Sequence, residues 1–482
     1  VNDSINGSYD TESYAVIGNQ VQLNAHVEHQ NGTTSAVKWT SLTPELATVD
    51  ENGVVTPIAA GLAKIVATDP NNESISLEFV VTILDEEPTG ILEFILRSHE
   101  SNVFSRYNLG IGAGVPSYYE DIFGSVSKVL MNDPLTIDDS RKDTEINNNT
   151  GDYFKDIKSI EFITVHYTGN MSVGADAEAN ANYFVGDNAV SIHYTTGNDG
   201  VYQCLDHAHG GYHAGDSGAM EVVGEFKWIP TGVRVGANDP QYPAFTISQD
   251  FYYEINGQKT TVPMPRPWNY DNRGTDHTLN EDGTISSKPS FGQTGFSKRD
   301  PESFINLQSL PFTIVDGEYY MGTTWWCYTQ IYEGRICSTG GNRNSIGIES
   351  CVNEGSDLWY TWQRTAKLVA KLMKDYNLDI TRVRGHHFFT AKDCPQPLLE
   401  NDLEIWWEFL ELVEAEYDLL TKYSDYQIKF ESHNPEILDN NGRIVKQPDA
   451  TTTVSYTITI TKDGVSQSVT LSSIIQGLYI NR

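Results

Sequence analysis

Short runs in which apolar and polar residues alternate dominate residues 13–84. Residues 21–27, 54–57, 63–68 and 76–83 each read as a half-buried strand, and Asn31-Gly32, Asn52-Gly53 and Pro70-Asn71-Asn72 punctuate them as turns. Such strands predict a small β-sandwich. The period changes in the middle of the chain. Residues 162–165 and 345–348 are apolar runs of strand length. Leu358–Tyr376 instead sets Leu358, Trp362, Ala366, Val369, Leu372 and Met373 on one stripe, which predicts a helix. Residues 175–184 and 398–420 read as further helices, the second opened after Pro395 and Pro397. Strands interleaved with helices predict a sheet covered by helices. Alternation returns at 453–461, which reads as a strand.

The two ends of the chain echo each other. Lys38-Trp39-Thr40-Ser41-Leu42-Thr43-Pro44-Glu45 recurs as Lys429-Phe430-Glu431-Ser432-His433-Asn434-Pro435-Glu436, and Asn52-Gly53 recurs as Asn441-Gly442. The stretch from Lys38-Trp39 through Leu46-Ala47-Thr48-Val49-Asp50 and Asn52-Gly53-Val54-Val55-Thr56 to Ala60-Gly61-Leu62-Ala63-Lys64-Ile65 resembles the bacterial immunoglobulin-like domain, group 2. The expected architecture is multidomain. An all-β immunoglobulin-like sandwich occupies 1–86, followed by a linker at 85–90. A central α/β domain with a mixed sheet covered by helices occupies 91–423 and carries a large insert at 217–340. A second, shorter immunoglobulin-like sandwich occupies 424–482.

Composition narrows the function classes. At about 150 residues per domain, 482 residues suit roughly three domains. A net charge of −33 excludes a nucleic-acid binder, which needs a basic face, and docking on anionic lipid by bulk charge. No apolar run approaches the ~20 residues needed to span a bilayer. The chain starts at Val1 with no basic-then-apolar leader, so it reads as a mature or trimmed form. Its Asn, Thr, Tyr and Gly richness suits secretion. Five cysteines (Cys204, Cys327, Cys337, Cys351 and Cys394) leave at least one outside any intramolecular disulfide framework. Cys327 and Cys337 are close enough in sequence for a hairpin bridge, but the pairing stays open.

The densest chemical signal is Arg384-Gly385-His386-His387-Phe388-Phe389-Thr390-Ala391-Lys392-Asp393-Cys394-Pro395. A thiolate and an imidazole on a loop closed by proline can both ligate zinc. Lys392, two residues before Cys394, favours the thiolate if the stretch is extended. A catalytic zinc usually takes three protein ligands and a water. His166, at the end of the 162–165 run, is the best third candidate.

Ile163-Thr164-Val165-His166-Tyr167-Thr168, Ser191-Ile192-His193-Tyr194, Gly200-Val201-Tyr202-Gln203, His213-Ala214-Gly215, Asn344-Ser345-Ile346-Gly347-Ile348-Glu349 and His386 through Lys392-Asp393-Cys394-Pro395 occur in that order. The ordered set resembles the zinc-dependent N-acetylmuramoyl-L-alanine amidase type 2 family, which includes phage endolysins and is akin to peptidoglycan recognition proteins. The resemblance implies one Zn2+ per chain held by His166, His386 and Cys394. It implies Glu349 as general base and Lys392 as oxyanion stabiliser. The implied reaction is hydrolysis of the amide between N-acetylmuramic acid and the first L-alanine of the peptidoglycan stem peptide, outside the cell or at its wall. The immunoglobulin-like modules would then space or anchor the enzyme on a wall or surface partner. One departure is Ile192, where some phage members carry a tyrosine.

Other roles are open to these residues. His213, Asn344 and Trp268 are candidate substrate contacts, with core hydrogen bonding the competing role for His213. His193 and His387 lean structural. The insert, rich in aromatics and carrying the stiff Pro263-Met264-Pro265-Arg266-Pro267-Trp268, suits either a private core or a substrate wall. Two other function classes stand beside the amidase. One is a non-catalytic peptidoglycan receptor, whose hallmark would be loss of the cysteine that Cys394 retains. The other is an adhesin-like surface protein acting through its β-modules.

Overall fold

The computed structural model describes residues 3–104, 124–143, 160–186, 190–214, 340–343, 345–386, 394–399 and 404–478, and short strands at 155–156 and between 245 and 336. The N-terminal module has nine strands: β1 (Ser4–Tyr9), β2 (Tyr14–Val16), β3 (Val21–Glu28), β4 (Thr34–Ala36), β5 (Lys38–Ser41), β6 (Ala47–Val49), β7 (Val54–Pro57), β8 (Gly61–Asp69) and β9 (Asn72–Leu84). They form two sheets, β1-β3-β7-β6 with β4 on β3, and β2-β9-β8-β5. Period-two side chains fill the space between: Leu23 and Val27 from one sheet meet Ala63, Ile65, Ala67, Phe79 and Val81 from the other. This is the expected sandwich, with β1 lying ahead of the residues whose alternation predicted it.

The chain then forms α1 (Gly90–Arg97) and β10 (Asn102–Val103). In the central domain follow β11 (Ile137–Asp138), β12 (Lys155–Asp156), β13 (Phe162–Tyr167), α2 (Ala177–Phe184), β14 (Tyr194–Thr196), β15 (Val201–Gln203) and β16 (His209–Gly210). Within the insert, β17 (Phe245–Ile247), β18 (Tyr252–Ile255) and β19 (Gln258–Pro263) make one antiparallel sheet. The pairs β20 (Phe312–Val315) with β21 (Glu318–Met321), and β22 (Ile331–Tyr332) with β23 (Arg335–Ile336), make hairpins. After it come β24 (Ser345–Ser350), α3 (Leu358–Tyr376), β25 (Val383–Gly385) and α4 (Glu404–Leu420).

A six-stranded mixed sheet in the order β11-β15-β14-β24-β13-β25 organises this domain. Ile163, Val165, Ile346, Ile348 and Val383 point from it into a core shared with Trp359, Trp362, Val369 and Leu372 of α3 and Phe409 and Val413 of α4. The Asp357 side chain caps α3 by accepting from Tyr360 N at 3.1 Å, and Asn377 in the left-handed conformation ends it. The single helix expected at 398–420 is divided. A 3-10 turn covers Gln396–Leu399 and α4 begins at Glu404.

The C-terminal end departs from the expected self-contained sandwich. Its strands β26 (Gln427–Ser432), β27 (Thr452–Lys462) and β28 (Val465–Ile475) form one antiparallel sheet extended by β10 in parallel on β28. Across one face lie Phe94, Ile95 and Leu96 of α1 with Val126 and Val129, packed on Phe430, Tyr456, Ile458 and Leu471. Bridges His99–Ser127, Ser125–Arg443 and Leu438–Ile444 complete this second layer. Residues 91–103 and 124–131, expected in the central domain, therefore build the C-terminal module.

The sequence echo survives locally. Asp50 Oδ1 accepts from Asn52 N and Val54 N, and Asp439 Oδ1 accepts from Asn441 N and Arg443 N. Gly53 and Gly442 follow with φ of 83° and 76°. The two end modules also touch. Thr82 Oγ1 donates to Thr470 O at 2.8 Å, and Asn102 bonds both the N–H and the C=O of Tyr9. Arg443 pairs with Asp357 at the start of α3, at 3.3 Å. Among the described residues, no helix is long and apolar enough to cross a membrane.

Candidate metal centre

Strand alternation decides which side chains can meet. With Ile163, Val165, Ile346 and Ile348 committed to the helical face, Thr164, His166, Ser345, Gly347 and Glu349 stand on the other. The parallel register sets His166 opposite Glu349, and Thr164 Oγ1 donates to Ser345 Oγ at 2.7 Å one step away. On the far side of β13, Val165 pairs with Gly385, and His386 N donates to Val165 O at 3.2 Å. His386 thus leaves the end of β25 beside His166, their rings 4.7 Å apart between centroids and edge to face. Cys394 comes from the turn before Gln396–Leu399, whose Gln396 accepts from Tyr167 Oη at 3.2 Å.

The expected ligand set is brought together. His166, His386 and Cys394 each offer a donor atom, all within 4.8 Å of one another, and all three residues are buried. His166 turns Nδ1 toward the thiol, 3.8 Å from Cys394 Sγ. Zinc bonds of about 2.0–2.3 Å in tetrahedral array put ligand atoms roughly 3.3–3.7 Å apart, close to the 3.8 Å between His166 and Cys394, and a nitrogen-nitrogen-sulfur donor set suits zinc with a fourth position for water. Glu349 stands half-buried on the adjacent strand.

A second set of histidines lies against this triad. His213 Nδ1 is 3.0 Å from His166 Nε2, with the rings nearly perpendicular. The Asn342 side-chain oxygen accepts from both His213 N, at 2.9 Å, and Ala214 N, at 2.8 Å. Gly341 N donates to Ala214 O at 2.6 Å, so the two ends of the insert are stitched together beside the cluster. Gly347 makes room: a Cβ there would lie 2.8 Å from His213 Nδ1 and 2.6 Å from Ile192 Cδ1. Burial pushes the His213 imidazole down to about 3, with the neighbouring His386 acting in the same direction. His193 is used up by the scaffold. Its Nδ1 accepts from Gly347 N at 3.0 Å, its Nε2 donates to His209 O at 2.8 Å, and burial holds it well below the usual imidazole range.

Lys392, Asn344, Trp268 and His387 lie outside the described residues, as do Cys327 and Cys337. Cys204 and Cys351 are buried thiols, Cys204 pushed up to about 12 and Cys351 well above its ordinary value by desolvation. Sequence reasoning missed Asn342 and the space-making role of Gly347. The only signal for Asn342 was its position at the end of the insert.

Comparison with known proteins bears out both resemblances. Residues 5–79 match the family model described as bacterial Ig-like domain (group 2), and residues 156–247 and 277–397 match the one described as N-acetylmuramoyl-L-alanine amidase. The N-acetylmuramoyl-L-alanine amidase CwlH of Bacillus subtilis (strain 168) is 40% identical over 70 residues, 14% of this chain and 26% of that protein. XlyA, an N-acetylmuramoyl-L-alanine amidase of the same organism, is 46% identical over 60 residues, 12% of this chain and 20% of that protein. The chain thus spans about a quarter or less of the length of these relatives. Among solved structures, a mutant endolysin from Bacillus subtilis aligns over 58% of this chain and 99% of that one, with 20% identity and a TM-score of 0.30.

Proposed function

We propose that the central domain is a zinc-dependent N-acetylmuramoyl-L-alanine amidase that acts on peptidoglycan outside the cell, cutting between N-acetylmuramic acid and the L-alanine of the stem peptide. The observation that carries this reading is the buried His166, His386 and Cys394 triad with Glu349 paired to His166 across the sheet. His166, His386 and Cys394 would hold the metal. When bound, zinc supplies Lewis acidity toward a carbonyl oxygen and lowers the pKa of a bound water to about 7. Glu349 takes the proton of the attacking water and passes it to the leaving amine. Lys392 stabilises negative charge on the carbonyl oxygen as the tetrahedral intermediate forms. Asn344 and Trp268 are proposed on the substrate side. The N-terminal module, and a C-terminal module read as a shortened immunoglobulin-like unit from its repeated Asp-Xaa-Asn-Gly turn, space or anchor the enzyme on a wall or surface partner.

Metal analysis and wall digestion test this together. Purified full-length protein should carry one zinc per chain and release new L-alanine amino termini from cell walls without new reducing sugar ends. The Cys394→Ala variant should lose stoichiometric zinc. Zinc retained at full occupancy in that variant, or reducing ends in the digest, refutes the reading.

A further inference from the structure

We infer that His213 is a positioning residue for the metal centre: it accepts the Nε2 proton of His166 and thereby holds the His166 Nδ1 lone pair toward His386 and Cys394. The inference rests on the ligand reading proposed above. His166 presents Nδ1 to the thiol of Cys394, 3.8 Å away. A nitrogen that ligates a metal carries no proton, so the proton of neutral His166 sits on Nε2. That nitrogen is 3.0 Å from His213 Nδ1, which must then be the acceptor and leave the proton of His213 on its own Nε2.

The acceptor is set in place by the backbone on both sides. Asn342 clamps the N–H groups of His213 and Ala214, and Gly347 leaves the gap the ring occupies. An acceptor behind a ligating imidazole fixes ring orientation and tautomer and raises ligand basicity. Here that acceptor is the ring nitrogen of a second imidazole rather than a carboxylate or carbonyl oxygen. The same contact fills the hydrogen-bonding capacity of His213 Nδ1, so that atom is not available to a substrate group.

The test is zinc affinity, measured by competition with a chelator on the full chain, for the wild type, His213→Ala, His213→Gln and Cys394→Ala. Loss of the acceptor should weaken zinc binding by about 10–100-fold. Glutamine, whose carbonyl oxygen can take the same proton, should recover most of that loss, which a purely space-filling role does not predict. Independently of any variant, the zinc-loaded wild type should show a slowly exchanging His166 Nε2 proton by NMR, and the histidine nitrogen bound to metal should be Nδ1. A folded His213→Ala protein with wild-type zinc affinity overturns the inference. So does glutamine as weak as alanine when both fold, or ligation through His166 Nε2. A wild type that takes up no zinc, or Cys394→Ala that keeps it, instead overturns the ligand reading on which the inference rests.

Discussion

Gly347→Ala tests the packing behind the metal centre with a single added methyl. The glycine sits in β24 with its missing side chain aimed at buried Ile192 and half-buried His213. A Cβ there would be 2.6 Å from Ile192 Cδ1 and 2.8 Å from both Cε1 and Nδ1 of His213. Ordinary contact between such atoms is about 3.5–4.0 Å, so one or both neighbours must retreat by about 1 Å. Overpacking of this kind typically costs about 1–3 kcal/mol. For a domain of this size that corresponds to roughly 2–4 °C of melting temperature per kcal/mol. The second consequence is more specific. If His213 is the neighbour that yields, its 3.0 Å contact with His166 stretches beyond hydrogen-bonding range. Zinc affinity should then fall toward that of His213→Ala. Thermal melts with and without chelator, together with zinc competition, separate the two effects. A melting temperature within about 1 °C of wild type and unchanged zinc affinity would refute the argument from the missing Cβ.

Two further outcomes are expected. Glu349→Gln should keep zinc and lose about 10²–10⁴-fold of hydrolysis, because the amide preserves shape but cannot accept a proton; wild-type turnover would place the base elsewhere. His99, buried against Phe430 and Tyr456 with Nδ1 2.6 Å from Ile95 O, is lowered to about 4 by desolvation and secondarily by nearby Lys128. Its unfolded form binds more protons between pH 4 and 6.5, so the stability it confers is full above about 6.5 and falls as pH drops toward 4, by about 3 kcal/mol in all. Denaturation of the wild type and His99→Gln at pH 7 and pH 5 checks the sign: the variant should show a flatter dependence, and an equal slope would remove His99 as the cause.

What could be read from the sequence follows the range of the interactions involved. Helix α3 was legible over its full span because its apolar stripe lies wholly within it. His166 was legible because a histidine ends an apolar run, and His386 with Cys394 because they share one short segment. The partner of His213 was not. Its contact joins side chains 47 residues apart and depends on an absence at Gly347, which a strand pattern registers only as a weak point. The cover over the C-terminal sheet was illegible for a similar reason. The alternation of β27 was visible, but nothing local in Phe94, Ile95 and Leu96 says which sheet they will cover.

That arrangement bears on how the polypeptide can be divided. The segments flanking the central domain on either side, α1 with residues 124–131 and the three last strands, bury one another. A product stopped after α4 would leave Phe94, Ile95 and Val126 in water, and one begun after residue 131 would strip the cover from Phe430, Tyr456 and Leu471. Neither trimming is a clean excision. A minimal fragment of the central domain has to omit both flanks at once, running from about 132 to the end of α4. Even then it surrenders the anchor that buried Glu416 gives Leu130 N, and it keeps only the Lys367 side of that junction. A cut that removes only one of these two flanks should therefore yield an aggregating species rather than a smaller soluble one.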